Sequence, residues 1–279
     1  MGRRELLNHL TSLAEPIYGR GEATQIARMI LEEVGGVSYT QIIADPDAEC
    51  EIKELERIER EITACRPIQY IIGEADFCGF RVAVREGVLI PRPESEELIE
   101  WVVSEATGSE RILDIGTGSG ALSIALSSAL PQSDVTAIDI SKEALEIARQ
   151  NGALLAPKVK FVEGDALRGV ENYVEGEFDI ILSNPPYIPQ CEQVAMRKNV
   201  VDFEPHLALF VPDNDPLLFY REIARSAKGL LSKGGKLYYE IHENFAEQTA
   251  QMVKEEGFKE VEIRRDINDK ARMICAKRG

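Results

Sequence analysis

The sequence has 279 residues, 44% of them hydrophobic, and its 48 acidic and 32 basic side chains give a net charge of −16. This hydrophobic content is enough for a sizeable core and excludes a disordered chain. The negative charge argues against a nucleic-acid substrate, because phosphate neutralisation supplies most of the sequence-independent affinity for nucleic acids.

Residues 1–72 carry helical periodicity and are predicted to form a small N-terminal helical bundle. Apolar residues at spacings of three and four mark one helix face between residues 23 and 34. Ser38 and Gln41 have the spacing of a capping box, which predicts a short second helix. A further apolar stripe runs along residues 52–62. Helices with one apolar face each are expected to pack together.

Residues 73–93 change to a strand pattern and are predicted to form a β-hairpin linker. Apolar and polar residues alternate along 80–84, and Glu86-Gly87 offers a turn before the apolar residues 88–90. The prediction is that 80–84 pairs with 88–90. Prolines end the hairpin, and residues 94–106 have a helical pattern.

From residue 110 onwards, short apolar strands alternate with helical patterns, which indicates a parallel sheet covered on both faces. The predicted strands of this kind are 111–115, 134–139, 159–163, 178–183 and 236–241. Residues 259–264 and 272–276 are two more strand candidates, and the connection between them is too short for a helix. We expect that last pair to be antiparallel. The predicted fold class of residues 94–279 is therefore α/β, Rossmann-like and mostly parallel.

The cysteines and the N-terminus bear on the cellular compartment. The five cysteines are scattered, without a CxxC pair or a Cys/His cluster. We therefore expect no metal site and no disulfide framework, and reduced thiols in a cytoplasmic protein. The N-terminal stretch MGRRELLNHL lacks the apolar run of a signal peptide, and no stretch approaches the roughly 18 apolar residues of a membrane span. We expect no association with a membrane.

Three features follow the first three predicted strands. The turn DIGTGSG, residues 114–120, precedes a helix, and glycines at a helix N-terminus let the backbone approach a ligand closely. Asp139 ends the second strand, where a carboxylate can accept both hydroxyls of a ribose. Gly164-Asp165 ends the third strand, where an edge-on contact to adenine can form. Carboxyl ends of parallel strands share one sheet edge, so these features predict a single nucleotide-type binding site.

The cofactor that this arrangement suggests is S-adenosylmethionine. The spacing GxGxG differs from the GxGxxG of the dinucleotide fingerprint, which argues against NAD. No GKS or GKT follows the glycines, which excludes a P-loop. The residues predicted to bind the cofactor are Gly116, Thr117, Gly118, Ser119, Gly120, Asp139, Asp165, Ala166 and Asn184.

The fourth strand runs into Asn184-Pro185-Pro186-Tyr187 at the same predicted edge. A residue before proline is held extended, and proline carbonyls remain acceptors although proline has no N–H. The tetrapeptide is therefore predicted to be a rigid acceptor site that suits a planar NH2 group. We predict Asn184, Pro185 and Tyr187 as catalytic residues, and these with Pro186 as the substrate-binding residues. Asn184 is neutral, so we do not assign it as a general base.

This tetrapeptide after a fourth strand resembles that of methyltransferases acting on planar amino nitrogens, either adenine N6 or a glutamine side-chain amide. Nearly the whole chain resembles the release factor glutamine methyltransferase family. The stretches that carry this resemblance are PIQYIIG (67–73), IPRPESE (90–96), ILDIGTGSG (112–120), NPPYI (184–188), FEP (203–205) with AL (208–209), and GKLYYEI (235–241). Three departures are Ser95 in place of a frequent threonine, Ala166 in place of bulkier residues, and PDNDP (212–216) in place of a more glycine-rich segment.

The resemblance implies a seven-stranded methyltransferase domain that uses S-adenosylmethionine, yields S-adenosylhomocysteine and needs no metal. It implies that the substrate is the glutamine of the Gly-Gly-Gln loop in class 1 peptide chain release factors. It also implies that the helical bundle helps to hold the release factor. We expect no direct nucleic-acid partner, and a monomer.

Other interpretations stay open at this point. Methylation of a glutamine in a ribosomal protein would use the same tetrapeptide, whereas adenine methylation is disfavoured by the negative charge. A protein that binds the cofactor without turnover is disfavoured by the intact tetrapeptide. Arg92 and Glu94 either contact cofactor or substrate or form ion pairs at a helix start, and Glu204-Pro205 either shapes the substrate cleft or has no role there. Isolated side chains interpreted as ordinary polar or core positions are His9, His206, His242 and Trp101.

Overall fold

The computed structural model describes every residue from Met1 to Gly279. Its α-helices are α1 (Arg3–Glu33), α2 (Tyr39–Ala44), α3 (Leu55–Thr63), α4 (Ile68–Ile72), α5 (Glu94–Glu105), α6 (Ala121–Ala129), α7 (Lys142–Leu155), α8 (Lys198–Val201), α9 (His206–Leu209), α10 (Leu218–Leu230) and α11 (Ala246–Glu255). Its strands are β1 (Glu74–Phe77), β2 (Phe80–Ala83), β3 (Arg111–Ile115), β4 (Asp134–Asp139), β5 (Lys160–Glu163), β6 (Phe178–Ser183), β7 (Ile188–Pro189), β8 (Phe210–Val211), β9 (Leu231–Glu240), β10 (Phe258–Arg265) and β11 (Ala271–Arg278). No helix combines the length and the apolar character needed to cross a membrane.

The chain divides into two units, and the first comprises Met1–Glu74 together with Arg197–Phe203. Apolar side chains of α1 to α4 form its core. The predicted capping box is confirmed, because the Ser38 hydroxyl accepts from the Gln41 N–H at 3.4 Å while Gln41 Oε1 accepts from the Ser38 N–H at 2.8 Å. The predicted stripe on α1 is buried at Ala23, Ile26, Ala27, Ile30 and Leu31, and exposed at Val34 beyond the helix end.

The segment Arg197–Phe203 joins this first unit although it lies far along the chain. Arg197 Nη1 donates to both carboxylate oxygens of Glu22, at 2.9 and 3.0 Å. The guanidinium carbon of Arg66 lies 5.8 Å from the ring centroid of Phe203. Sequence periodicity did not predict this addition to the N-terminal helices.

The second unit, Ala75–Met196 with Glu204–Gly279, is built on a seven-stranded sheet in the order β10-β11-β9-β6-β3-β4-β5. Strands β9, β6, β3, β4 and β5 are parallel, whereas β11 is antiparallel to both β9 and β10. The predicted α/β fold with an antiparallel C-terminal pair is confirmed. From β3 the chain moves outward to β4 and β5, and then returns to β6 on the other side of β3. Such a reversal of strand order leaves a crevice beyond the carboxyl ends of the strands.

The predicted pairing within the hairpin was wrong. Strand β2 pairs with β1 instead of with residues 88–90, and the connection Cys78-Gly79 has positive φ angles of 48° and 77°. Residues 88–90 are not a strand and pack elsewhere in the second unit. Val88 is buried with Ala144 and Ile147 of α7.

A carboxylate at the end of α5 collects four donors. Glu105 accepts from Lys236 Nζ at 2.7 Å, the Tyr238 hydroxyl at 2.8 Å, Trp101 Nε1 at 2.7 Å and Arg264 Nη2 at 3.2 Å. Trp101 is buried, which confirms its interpretation as a core residue. Burial alone would raise the pKa of Glu105, but the hydrogen bonds from Lys236, Trp101 and Tyr238 lower this pKa to about 2.

Glu105→Gln is expected to lower the free energy of unfolding at pH 7 by about 2–3 kcal/mol. The lowered pKa of Glu105 means that the folded protein stabilises the ionised carboxylate more than the unfolded chain does, and glutamine carries no charge. A lowered pKa stabilises the fold above about pH 4.5, and this contribution disappears as the pH falls towards 2. Urea unfolding should therefore show a smaller difference between wild type and variant at pH 3 than at pH 7. Glu262→Gln, at a mostly exposed ion pair with Arg264, is the matched control.

Candidate active site

A cavity of about 220 Å³ lies in the second unit beyond the carboxyl ends of β3, β4 and β6. Most of the predicted site residues form part of its wall. Those residues are Gly116, Thr117, Gly118, Ser119, Asp139, Asp165, Ala166, Asn184, Pro185 and Pro186. Gly120 and Tyr187 are not part of the wall.

Neighbouring strands bring the glycine turn and the Asn-Pro-Pro segment together. Ile115 of β3 lies opposite Ser183 of β6, and the Ser183 hydroxyl donates to the Ile115 carbonyl at 2.6 Å. The residues that follow, Gly116 and Asn184, therefore leave the sheet side by side. A Cβ added at Gly116 would lie only 4.0 Å from the Asn184 carbonyl oxygen, and its φ of 79° favours glycine.

Asp114 braces the glycine turn from inside the protein. Its Oδ2 accepts from the Thr117 hydroxyl at 2.7 Å and from the Ser123 hydroxyl at 2.6 Å. Burial raises the pKa of Asp114 to about 6, although both hydroxyl hydrogen bonds act in the opposite direction. The other oxygen, Oδ1, is buried without a hydrogen-bond partner.

Asp139 ends β4 with its carboxylate on the cavity wall. Its Oδ2 accepts from the Gly118 N–H and its Oδ1 from the Ser141 N–H, both at 2.8 Å. Burial raises the pKa of Asp139, whereas the backbone hydrogen bonds from Ser141 and Gly118 lower it. Each carboxylate oxygen has more than one acceptor position, so Asp139 can still accept ligand hydroxyls.

Of the remaining predicted cofactor residues, Asp165 and Ala166 lie in the cavity wall, whereas Gly120 lies outside it. Asp165 Oδ1 accepts from the Leu167 N–H at 2.9 Å, which starts a short helical turn at Ala166. Gly120 begins α6 with a φ of 82°, and a Cβ there would meet Ala148 and the Phe161 ring at 3.3 Å. Gly120 therefore serves close packing in this structure.

Asn184 and Tyr187 are connected by hydrogen bonds through two buried residues, Ser95 and Glu240. Asn184 Nδ2 donates to the Ser95 hydroxyl at 3.1 Å, the Ser95 hydroxyl donates to Glu240, and the Tyr187 hydroxyl donates to Glu240 Oε1 at 3.1 Å. Burial raises the pKa of Tyr187, so Tyr187 stays a protonated donor. Burial also raises the pKa of Glu240, against the hydrogen bonds from Ser95 and Tyr187 and the positive charge of Arg272.

Arg92 and Glu204 form an ion pair beside the cavity. Arg92 Nη2 lies 2.5 Å from Glu204 Oε1, and Glu204 Oε2 accepts from the Ile90 N–H at 3.2 Å. Glu204 is buried, while Arg92 and Pro205 belong to the cavity wall. Arg92 therefore forms an ion pair, and because it also lies in the cavity wall, its contact with cofactor or substrate stays a prediction. Glu94 starts α5 and is not in the wall.

The histidines lie outside the cavity wall. In the first unit, His9 Nε2 is 2.7 Å from Glu59 Oε1. In the second unit, His242 Nε2 is 3.1 Å from Glu192 Oε2, and the His206 ring packs edge-on against Phe210. They are polar positions with structural partners, as expected from the sequence.

Sequence reasoning did not identify Ser95 and Glu240 as part of the site. The sequence did carry a signal for Glu240, because this carboxylate stands near the end of a predicted strand. In the structure Glu240 ends β9, and its neighbour Tyr239 lies opposite Ser183 of β6. Ser95 was noted only as a departure from a frequent threonine and was not assigned a role in the site. Apolar wall residues that were also missed are Val88, Leu122, Ile140, Leu207 and Phe219.

Known proteins resemble this chain in sequence and in fold. Residues 94–202 match the family model of the methyltransferase small domain. The chain is 42% identical to a protein of Bacteroides thetaiotaomicron named release factor glutamine methyltransferase, over 95% of this chain and 96% of the relative. It is 40% identical to a Flavobacterium psychrophilum protein of the same name, over 92% and 93% of the two chains. A solved methyltransferase structure from Pyrococcus furiosus shares the fold, with a TM-score of 0.55 and 21% identity over 72% of this chain and 90% of that one.

Proposed function

Because the chain belongs to the release factor glutamine methyltransferase family, we propose that it methylates the glutamine of the Gly-Gly-Gln motif in class 1 peptide chain release factors. The methyl group comes from S-adenosylmethionine and is transferred to the side-chain amide nitrogen. The observation that carries the proposal is the position of Asn184 and Pro185 on the cavity wall beside the glycine turn. Incubation of purified release factors with enzyme and S-adenosylmethionine, followed by mass spectrometry, tests it.

Asn184 and Pro185 are proposed to hold the substrate NH2 group. The side-chain oxygen of Asn184 and the Pro185 carbonyl each accept one of its hydrogens, and Pro185 is fixed between Asn184 and a second proline. Two acceptors on the two hydrogens favour a nitrogen that becomes pyramidal and gains positive charge as it reacts. Holding the nitrogen at a fixed place also lowers the barrier, because less orientational entropy is lost in the reaction.

Tyr187 is proposed to support the substrate amide with its partly exposed ring. Its hydroxyl donates to Glu240 and its backbone N–H donates to the Leu209 carbonyl at 3.3 Å, so the ring has a fixed orientation. Pro186 extends the same rigid wall. The methylated nitrogen releases one of its two hydrogens as a proton to water, because an amide nitrogen that carries positive charge is strongly acidic, and neither Tyr187 nor Pro186 is required to take this proton.

The residues present fit S-adenosylmethionine, which supplies an activated methyl group on a positively charged sulfur. Asp139 would accept the ribose hydroxyls, and Asp165 with Ala166 would border the adenine. Residues 116–119 line the cavity, and the two glycines among them let a ligand approach the backbone closely because they have no side chain. The negative charges of Asp139 and Asp165 suit a cationic ligand.

Asp139→Ala is expected to weaken S-adenosylmethionine binding by about 1.5–3 kcal/mol, because hydrogen bonds to a charged acceptor contribute that much. Isothermal titration calorimetry measures this change directly. Asp134→Ala, an exposed position at the opposite end of the same strand, is the matched control and should bind normally. Unchanged affinity of the Asp139 variant would remove this residue from the cofactor site.

The first unit is proposed to dock the release factor. It consists of helices around an apolar core, and every residue of the cavity wall belongs to the second unit. Its contribution is therefore to binding of the protein substrate instead of to the reacting groups. We propose a cytoplasmic monomer that acts on protein without binding nucleic acid, in keeping with the net charge of −16.

A further inference from the structure

Asn184 lies at one end of a hydrogen-bond chain that reaches a buried carboxylate. Asn184 Nδ2 donates to Ser95 Oγ at 3.1 Å, and Ser95 Oγ donates to Glu240 Oε2. The other carboxylate oxygen, Glu240 Oε1, accepts from the Tyr187 hydroxyl at 3.1 Å. Ser95 and Glu240 are each only 1% exposed, and Ser95 also belongs to the cavity wall.

The fold brings these residues together from three elements. Asn184 follows β6 and Glu240 ends β9, and these two strands are parallel neighbours with Ser183 opposite Tyr239. Ser95 lies in the first turn of α5, which packs against β9. The Ser95 hydroxyl bonds to Glu240 and not to the start of its own helix, so Ser95 is not a helix cap.

The direction of the hydrogen bonds determines which end of the Asn184 amide faces the cavity. Glu240 accepts the Ser95 hydroxyl hydrogen on Oε2 and the Tyr187 hydroxyl hydrogen on Oε1, so the single hydroxyl hydrogen of Ser95 is already donated. Ser95 Oγ can then only accept from Asn184, which places Nδ2 towards Ser95. The oxygen Oδ1 is the end of the amide that remains for the cavity.

We propose that Ser95 and Glu240 are positioning residues that hold the Asn184 amide with its oxygen towards the substrate NH2 group. The inference rests on the proposed function, because only a substrate that donates needs an acceptor at this place. A rotated amide would present its own NH2 to the glutamine NH2, and two donors would face each other. The same orientation places an acceptor against a glutamate carboxylate, so it also favours glutamine over glutamate.

The test compares Ser95→Ala in two backgrounds. In the wild type, Ser95→Ala should lower kcat for release factor methylation about tenfold, the size of one net hydrogen bond. In the Asn184→Ala background, the same change should have no further effect on kcat, because the group that Ser95 orients is already absent. Ser95→Thr, which keeps the hydroxyl, should stay close to wild type. Ser104→Ala, on the same helix with its hydroxyl bonded to the Trp101 carbonyl at 2.7 Å, should not change kcat.

A second measurement needs neither cofactor nor substrate. In enzyme labelled with 15N-asparagine, the side-chain amide signal that disappears in Asn184→Ala identifies Asn184. Its hydrogens should exchange with solvent more slowly in the wild type than in Ser95→Ala. If the alanine variant does not fold, Ser95→Cys gives the same test, because a thiol is a weak hydrogen-bond donor of similar size.

The possible results distinguish a failure of the positioning role from a failure of the proposed function. An equal loss of kcat from Ser95→Ala in both backgrounds, or equal amide exchange rates, would overturn the positioning role. A wild-type rate in Ser95→Ala would overturn it as well. Full activity of Asn184→Ala alone would instead contradict the role of Asn184 in the proposed function.

Discussion

Replacement of Asn184 by alanine is expected to lower the turnover number for release factor methylation by about 10²–10³, the usual effect of losing one preorganised polar group at a reacting centre. The variant keeps the end of β6 and the Pro185 carbonyl but lacks the side-chain oxygen that accepts from the glutamine NH2. The affinity for S-adenosylmethionine should change much less, because Asp139 and the glycine turn are untouched. Single-turnover methyl transfer with enzyme in excess measures the chemical step.

Asn184→Asp gives a sharper comparison at the same position. It keeps an oxygen of the same shape towards the cavity but adds negative charge and cannot donate to Ser95. We expect a rate between those of the wild type and the alanine variant. A normal rate in Asn184→Ala would mean that Asn184 is only a turn residue.

Removal of residues 1–74, the N-terminal part of the first unit, should have the second largest effect. A chain that begins at residue 75 is expected to bind S-adenosylmethionine normally, because the cavity wall lies entirely in the second unit. Its kcat/KM for intact release factor should fall by at least about 100-fold, equivalent to about 2.7 kcal/mol. The physical reason is that contacts remote from the reacting amide provide binding energy that a truncated enzyme lacks.

A short peptide that contains the Gly-Gly-Gln sequence is the control substrate for this truncation. The peptide is too small to use a separate docking surface, so full-length and truncated enzymes should methylate it at similar, low rates. Circular dichroism and cofactor binding establish that the truncated chain is folded, which matters because Arg197 and Phe203 lose their partners. Full activity of the truncated chain on intact release factor would refute the docking role.

The sheet and most of the cavity wall could be predicted because their signals are local. Each parallel strand contains a short apolar run, and the side chains that line the cavity stand at or just after the end of β3, β4 and β6. The glycine turn after β3, Asp139 after β4 and Asn184 after β6 meet because parallel strands present their carboxyl ends at one edge. This reasoning needs only strand identity and direction, without any knowledge of how the helices pack.

The features that could not be predicted depend on contacts between distant parts of the chain. Ser95 and Glu240 are 145 residues apart, and they meet only because α5 packs against β9. The segment Arg197–Phe203 joins the first unit through contacts such as that of Arg197 with Glu22. The hairpin pairing was wrong because the tight connection is Cys78-Gly79, which joins β1 and β2, whereas the sequence analysis placed it at Glu86-Gly87.

One nitrogen atom of one protein substrate is expected to receive the methyl group. Purified class 1 release factor, incubated with the enzyme and S-adenosylmethionine, should gain the mass of a single methyl substitution on the peptide that contains Gly-Gly-Gln. Fragmentation of that peptide should place the methyl group on the glutamine side chain, and a release factor with Gln→Ala at this position should stay unmodified. Equal modification of that Gln→Ala control, or methylation of ribosomal protein or nucleic acid in place of release factor, would contradict the account.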